Sequence, residues 1–159
     1  MEIRRASKSD IKEINKLNEA EVPHVTSISE KDWLHLLEIA SNFVVLEHER
    51  NLLGFMVTIR ERENYDSFNY QFFDNHFEKF EYVDRIVISK QYQGKGLGRK
   101  LYEYLFETNK TNVVTCEVNV KPENPNSLAF HKKMGFKEKS KMVTNGGEKV
   151  VSLLVRQSD

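Results

Sequence analysis

The spacing of apolar positions in the first third of the chain predicts a strand followed by two helices. Residues 2–5 are typical of a short strand, and Ile11 and Ile14 then recur at the spacing of one helix face. Pro23 ends this helix, because proline lacks the amide that a helix interior needs. A second apolar stripe predicts another helix over residues 30–40. The chain therefore begins with a strand and two helices.

The middle of the chain predicts a β-hairpin and then an aromatic-rich connection. Residues 43–47 and 52–59 have the β-branched and apolar composition of two strands around a short turn. Residues 65–82 carry eight aromatic side chains without a clean periodicity. Such a connection is either a loop folded over a ligand site or an additional piece of core packed on the sheet edge. The sequence leaves both interpretations open.

The second half of the chain predicts a β-α-β unit with a further helix and a hairpin. Residues 83–88 are typical of a buried strand, residues 97–109 of a helix and residues 113–120 of another strand. A helix that opens on Asn-Pro and ends at glycine is predicted over residues 124–135. The Asn-Gly-Gly run at residues 145–147 then indicates a turn between two final strands.

Length, charge and cysteine usage narrow the class of protein. The chain has 159 residues, of which 39% are apolar, and this predicts one soluble domain over residues 1–159. Its 24 basic residues balance 24 acidic ones, so no overall field favours nucleic acid or an anionic membrane. The single cysteine excludes an internal disulfide framework, and no secretory signal opens the sequence, so we expect a cytoplasmic location. No uncharged run approaches the ~20 residues of a membrane span.

The run over residues 86–100 joins an apolar strand, a glycine loop and a helix start. The first N–H groups of a helix have no internal acceptor, and the helix dipole adds positive potential, so this turn suits a pyrophosphate. A Walker-type loop needs Gly-Lys followed by Ser or Thr, whereas Leu97 follows Gly96 here. The dinucleotide pattern requires a glycine where Arg99 stands. A plain tight turn is the remaining alternative, and three glycines exceed what it needs.

Two sequence landmarks together carry a family resemblance. Gln93-x-x-Gly96-x-Gly98 matches the Gln/Arg-x-x-Gly-x-Gly/Ala signature of the GNAT superfamily of N-acetyltransferases, and it lies between a predicted strand and helix. The run from Asn124 to Phe136 resembles the second landmark, a helix that begins with Asn-x-x-Ala/Ser and ends at Gly-Phe. The predicted β-α-α-β-β-β-α-β-α-β-β order agrees as well. The chain resembles this superfamily over its whole length.

The resemblance implies an α/β fold with a central mixed sheet, about four flanking helices and a cofactor cleft between two splayed parallel strands. Acetyl-CoA is the implied cosubstrate: strand backbone groups bind its pantetheine arm, and amides of the glycine loop cradle its pyrophosphate. Asn124 and Phe130 fall where relatives commonly touch the cofactor, although a helix cap and a core residue explain them equally well. The implied cofactor-binding residues are Ile86, Ile88, Gln93, Gly94, Gly96, Gly98, Arg99, Asn124 and Phe130.

The resemblance also implies direct attack of a neutral amine on the acetyl thioester, which needs a base for the ammonium proton and a group for the departing thiolate. Relatives usually carry a tyrosine acid where this chain has His131, so His131 is the candidate acid, with a packing role as the alternative. Some relatives carry a glutamate base where Tyr82 stands. Asp84, two residues on, is the preferred base, and Glu117 on the next strand is the second candidate. A salt bridge is the alternative role of both carboxylates.

Other chemistry finds less support in the sequence. Cys116 invites an acetyl-cysteine intermediate, yet a lone cysteine in an apolar strand is more often a small buried hydrophobe. The histidines lack ligand spacing, so we expect no metal. The expected partner is a small-molecule amine recognised by the first two helices and residues 65–82, and the sequence is compatible with a homodimer. A catalytically inactive CoA-binding or partner-docking module of the same fold is the alternative from another class.

Overall fold

The structure is a computed structural model that describes residues 1–158. Within these residues it has seven strands and five α-helices, with short 3-10 turns at Lys8–Asp10 and Lys90–Tyr92. In chain order the elements are β1 (Glu2–Arg5), α1 (Ile11–Glu19), α2 (Glu30–Ile39), β2 (Asn42–His48), β3 (Asn51–Arg60), α3 (Phe68–His76), β4 (Glu81–Ile88), α4 (Leu97–Thr108), β5 (Val113–Lys121), α5 (Pro125–Lys133), β6 (Lys137–Thr144) and β7 (Lys149–Gln157).

The strands form one mixed sheet in the order β1-β2-β3-β4-β5-β7-β6. β4 and β5 are parallel, whereas β1–β2, β2–β3, β5–β7 and β6–β7 are antiparallel pairs. The predicted α/β class with a mixed sheet is confirmed. Contacts group the chain into two compact units, residues 1–59 with 85–109, and residues 60–84 with the chain from Lys110 onwards.

In the first unit, the β2–β3 hairpin supplies a large share of the core. Phe43 and Phe55 are fully buried and pack with Trp33 of α2, whose ring meets that of Phe55 edge to face at 5.8 Å. Ile11 and Ile14 of α1 are buried at the predicted helical spacing. Each side chain of this size contributes about 1.5–3 kcal/mol when it leaves water. Trp33 therefore holds α2 against the hairpin.

A β-bulge in β3 accompanies a close approach to β4 within the first unit. A Cβ atom at Gly54 would lie 2.6 Å from the carbonyl oxygen of Val87 and 2.7 Å from Cδ1 of Ile88, so glycine is required there. One residue beyond β4, the Ser89 N–H donates to a β3 carbonyl at 2.8 Å. Because successive peptide groups of a strand point to opposite edges, those of Ile86 and Ile88 point away from β3.

In the second unit, the connection over residues 65–82 contains a helix that the sequence does not predict. The Ser67 hydroxyl caps α3 by accepting a hydrogen bond from the Tyr70 amide at 3.3 Å. Tyr70 and Phe73 are buried against Phe80 and Tyr82, with ring centroids 5.5–6.4 Å apart. The segment therefore supplies additional core, and it raises the helix count from the expected four to five.

The opposite face of α3 lines an open groove. Phe68 and Phe72 lie across from Met142 and Val143 of β6 around a cavity of about 600 Å³. Phe68 is 74% exposed and Val143 is 63% exposed. Aromatic residues thus occupy both the core face and the groove face of α3, which is why the sequence of this segment shows no clean helical period.

We expect Gly54→Ala to destabilise the protein by about 1–3 kcal/mol, because the added methyl group meets strand backbone that cannot turn away. Urea unfolding measures the change in the free energy of unfolding. Asn51→Ala is the control, since Asn51 is an exposed residue of the same strand, and exposed substitutions usually stay within about 0.5 kcal/mol. Equal stability of both variants would contradict the close approach of β3 to β4.

Candidate active site

The glycine loop of the first unit connects β4 to α4 through a 3-10 turn and two left-handed glycines. Gly94 has φ +77° and Gly96 has φ +81°, and nothing lies within 4 Å of a Cβ atom at either position. The positive φ angles, rather than lack of space, therefore require glycine. The N–H groups of Leu97, Gly98 and Arg99 occupy the first turn of α4, where no intrahelical acceptor exists. These amides are the candidate donors of the anion site that the sequence predicts.

The side chain of Gln93 stabilises this loop from one end. Its Nε2 donates to the carbonyl oxygen of Ile88 at 2.8 Å and to the carboxylate of Glu21. The Gln93 peptide N–H makes a long contact of 3.4 Å with the carbonyl oxygen of Lys90. The signature glutamine thus joins the end of β4 to the chain segment that follows α1.

Basic side chains surround the loop in exposed positions. The Arg99 guanidinium pairs with the Glu103 carboxylate one turn later, with Nε and Oε1 3.0 Å apart. Lys95 Nζ lies 5.6 Å from the centroid of the Tyr92 ring. Because exposed ion pairs and exposed cation–π contacts are both weak, neither contact prevents these cations from turning toward a phosphate. They add positive charge beside the amides of the loop.

In the second unit, two tyrosine hydroxyls hold the two candidate carboxylates. Tyr65 donates to Asp84 Oδ1, and Tyr82 donates to Glu117 Oε2 at 2.6 Å. Burial, together with the nearby Glu117 carboxylate, raises the pKa of the Tyr82 hydroxyl well above its usual value. Tyr82 is therefore a neutral phenol near neutral pH. In this state it donates a hydrogen bond to Glu117 and does not act as a base. Asp84 is half-buried.

His131 is buried on α5 between two aromatic rings. Its ring centroid lies 5.2 Å from that of Phe130 and 5.4 Å from that of Phe136, both edge to face. Nδ1 lies 2.8 Å from the carbonyl oxygen of Ser127, and a carbonyl only accepts, so Nδ1 carries the proton. Burial lowers the pKa of the imidazole. A neutral ring with its proton on Nδ1 offers a lone pair at Nε2, which supports the packing role over that of a thiolate acid.

The remaining residues considered on sequence grounds lie at α5 and on β5. Asn124 is at the N-cap position of α5, where its carbonyl accepts from the Leu128 amide at 3.1 Å but its side chain makes no capping hydrogen bond. Phe130 is half-buried. Cys116 of β5 is only 3% exposed, which supports the buried hydrophobe over a covalent nucleophile, because an attacking thiolate needs access.

Metal ions and membrane spans find no structural basis in the part of the chain that is described. Among residues 1–158, no three His, Cys, Asp or Glu side chains gather closely enough to hold a metal ion. Over the same residues, no helix combines the length and apolarity that crossing a bilayer demands.

Sequence reasoning does not single out Tyr65 or Arg85. Tyr65 is one of eight aromatic residues in an irregular segment, and nothing in its spacing indicates a bond to Asp84. Arg85 does leave a signal, because it is a charged residue at an inward strand position between Val83 and Val87, and all three are buried. A break of this kind in an apolar pattern marks a buried polar network.

The model of the Acetyltransferase (GNAT) family matches residues 9–136, so the chain belongs to this family. It is therefore an acetyltransferase, and acetyl-CoA, which the family uses, is its cosubstrate. The resemblance found in the glycine loop and in the helix ending at Gly135-Phe136 is confirmed.

Individual relatives agree with this assignment. The L-methionine sulfoximine/L-methionine sulfone acetyltransferase of Salmonella typhimurium (strain LT2) is 28% identical over 140 residues, covering 86% of this chain and 80% of that protein. The structure of yncA from Salmonella typhimurium, solved with acetyl-CoA, has a TM-score of 0.74 at 22% identity and covers 100% of this chain and 94% of that one. Chaetomium thermophilum Naa20, solved with a bisubstrate analogue, has a TM-score of 0.78 at 17% identity, with coverages of 99% and 86%. The two solved structures establish the shared fold.

The buried neutral His131 predicts a loss of stability in mild acid. Since the imidazole pKa is lowered in the folded chain, the unfolded chain binds the proton more readily once the pH falls below about 6.5. The free energy of unfolding should thus decrease between pH 7.5 and 5.5. Urea unfolding of the wild type and of His131→Phe, which keeps an aromatic ring, measures the effect. The variant should lose less stability over this interval. The same pH dependence of the free energy of unfolding in both proteins would contradict a buried neutral imidazole.

Proposed function

We propose that this chain acetylates the primary amine of a small molecule by direct attack of the amine on the acetyl group of acetyl-CoA. The glycine loop carries the proposal, because its left-handed glycines at residues 94 and 96 precede a helix start whose first amides lack intrahelical acceptors. A cytoplasmic location belongs to the proposal, since the one cysteine allows no internal disulfide.

The residues present fit the cosubstrate. The amides of Gln93, Gly94, Gly96, Gly98 and Arg99 would hold the pyrophosphate, and the outward peptide groups of Ile86 and Ile88 would bind the pantetheine arm. Gln93 Nε2 already donates to the carbonyl oxygen of Ile88, whose second lone pair is available to the arm. Asn124 and Phe130 remain candidates for further contacts. When bound, acetyl-CoA supplies an activated acetyl thioester.

Asp84 is the proposed base that takes the proton from the ammonium form of the acceptor. Its half-buried carboxylate receives the Tyr65 hydroxyl on Oδ1, which fixes the orientation of the group. Glu117 is the second candidate, and the neutral Tyr82 hydroxyl holds it in place. We assign His131 to shaping the site, in keeping with its buried, neutral ring. The acid role of His131 stays a prediction. The turnover number of a His131→Ala variant tests it, because unchanged turnover would remove that role.

The proposed acceptor class rests on the relative from Salmonella typhimurium, which acts on L-methionine sulfoximine and L-methionine sulfone. The balanced charge of this chain, 24 basic and 24 acidic residues, also favours a small molecule over a strongly charged polymer. We infer that α1, α2 and residues 65–82 recognise this amine, with aromatic rings and carboxylates available for its cationic form.

A thiol-release assay with acetyl-CoA and a panel of amines tests the function. L-Methionine sulfone, L-methionine sulfoximine, a polyamine and a peptide with a free N-terminus cover the acceptor classes. We expect release with the sulfone, and Asp84→Asn should lower kcat about 10²-fold or more while CoA affinity stays unchanged, because a general base typically contributes that much. A larger loss in Glu117→Gln would identify Glu117 as the base. If no amine supports release although CoA binds, the chain is an inactive CoA-binding module.

Calorimetry with CoA tests the glycine loop. Gly96→Ala should weaken CoA binding about tenfold, because an alanine at positive φ costs about 1–2 kcal/mol and the amides must move to relieve it. Gly146→Ala is the matched control: Gly146 has φ +63° and open space around it, but it lies in the β6–β7 turn. This control should keep wild-type CoA affinity. Equal loss in both variants, or no heat with the wild type, would contradict the assignment.

A further inference from the structure

The first unit contains a buried arginine that the proposed chemistry does not use. Arg85 of β4 is 6% exposed, and its guanidinium stacks over the Trp33 ring with Cζ 5.4 Å from the centroid. Taking a guanidinium out of water is unfavourable unless hydrogen bonds replace the lost hydration. An apolar residue would suit this position better for stability alone, which points to a positional role.

The hydrogen bonds of Arg85 converge on the connection between α1 and α2. Nη1 donates to the carbonyl oxygen of Thr26 at 2.9 Å and to Asn18 Oδ1 at 3.1 Å, while Nη2 reaches the Thr26 hydroxyl at 3.2 Å. The buried Asn18 also donates to the Thr26 carbonyl at 3.0 Å. Thr26 thus accepts three hydrogen bonds from two side chains that are themselves fixed in α1 and β4.

The same connection is held at its other end by the glycine loop. Glu21 accepts a hydrogen bond from Gln93, and the Glu21 carbonyl accepts the amides of His24 and Val25 at 2.8 and 3.3 Å. Residues 20–29, which lie between the two helices, are therefore attached to β4 through Arg85 and to the glycine loop through Gln93.

We propose that Arg85 is a positioning residue for the acceptor: it holds residues 20–29 in the one conformation that receives the amine. This inference rests on the proposed function, in which α1 and α2 recognise the acceptor. Because Ile86 and Ile88 follow Arg85 on the same strand, the arginine sets the position of the connection relative to the backbone that we assign to the cosubstrate. Its guanidinium acts through Thr26 and takes no part in proton transfer.

Two readouts on Arg85→Met and Arg85→Lys test the inference. Hydrogen–deuterium exchange should be about tenfold faster in peptides covering residues 20–29, where His24 and Val25 amides are protected, and unchanged in α4, because bonds to a charged donor are worth roughly a factor of ten each. With L-methionine sulfone as acceptor, KM should rise about tenfold while kcat and the Kd of CoA stay within about threefold. Arg85→Lys should not restore the wild-type exchange or KM, because an ammonium group cannot make the several directed hydrogen bonds of the planar guanidinium.

Controls separate this role from general stability. Thr26→Val removes one acceptor at an exposed residue and should raise KM less, in the same direction, and it remains informative if the Arg85 variants do not fold. Arg5→Met, at an exposed arginine of β1, should leave exchange and KM unchanged. Unchanged exchange over residues 20–29, or a fall in kcat at constant KM, would overturn the inference in a chain that binds CoA. Failure of the wild type to bind CoA would instead overturn the proposed function and the acceptor role with it.

Discussion

The close approach of β3 to β4 at Gly54 is the constraint on which the proposed cosubstrate site depends. Because Gly54 has no Cβ atom, β3 can approach the Val87 carbonyl closely, and the Ser89 N–H just beyond β4 donates to the Leu53 carbonyl of β3. The peptide groups of Ile86 and Ile88 are thereby directed to the other edge, and the strand leads directly into the glycine loop. A backbone requirement of one residue thus sets which atoms of β4 can serve a ligand.

Each unit also buries polar groups, which is unfavourable unless specific partners satisfy them. Arg85 bonds Asn18 and Thr26, His131 bonds the Ser127 carbonyl, and Tyr82 bonds Glu117. An unsatisfied buried polar group costs about 1–3 kcal/mol, so each of these pairs constrains geometry more than it adds to stability. The aromatic core of each unit supplies the stability that this arrangement consumes.

Much of the fold follows from the sequence, because the apolar pattern of most elements is characteristic of one type of structure. The helical spacing of Ile11 and Ile14 and the continuous apolar runs of β2 and β3 lead to the observed elements, and the glycine loop is recognisable from its spacing. α3 is not predicted for a physical reason: Tyr70 and Phe73 face the core while Phe68 and Phe72 face a groove, so its aromatic residues do not form a single apolar stripe.

The site is less predictable than the fold, since its character depends on contacts between distant residues. The sequence supplies Asp84, Glu117 and His131 as candidates, but the tyrosine partners of the carboxylates and the carbonyl partner of the imidazole come only from tertiary structure. For His131 this changes the chemistry, because an imidazole near its ordinary pKa would be partly protonated, whereas the buried ring is neutral with a defined tautomer.

The strand order β5-β7-β6 has a consequence for biosynthesis. β6 pairs with β7 alone, and β7 separates β6 from β5, so β7 occupies an interior position of the sheet although it follows both strands in the chain. While the ribosome is still adding residues 149–157, β5 lacks its antiparallel neighbour and β6 has nothing to pair with. The hairpin around Gly146 can then close locally and dock on β5 as one piece, so this half of the sheet is completed only after β7 has been made.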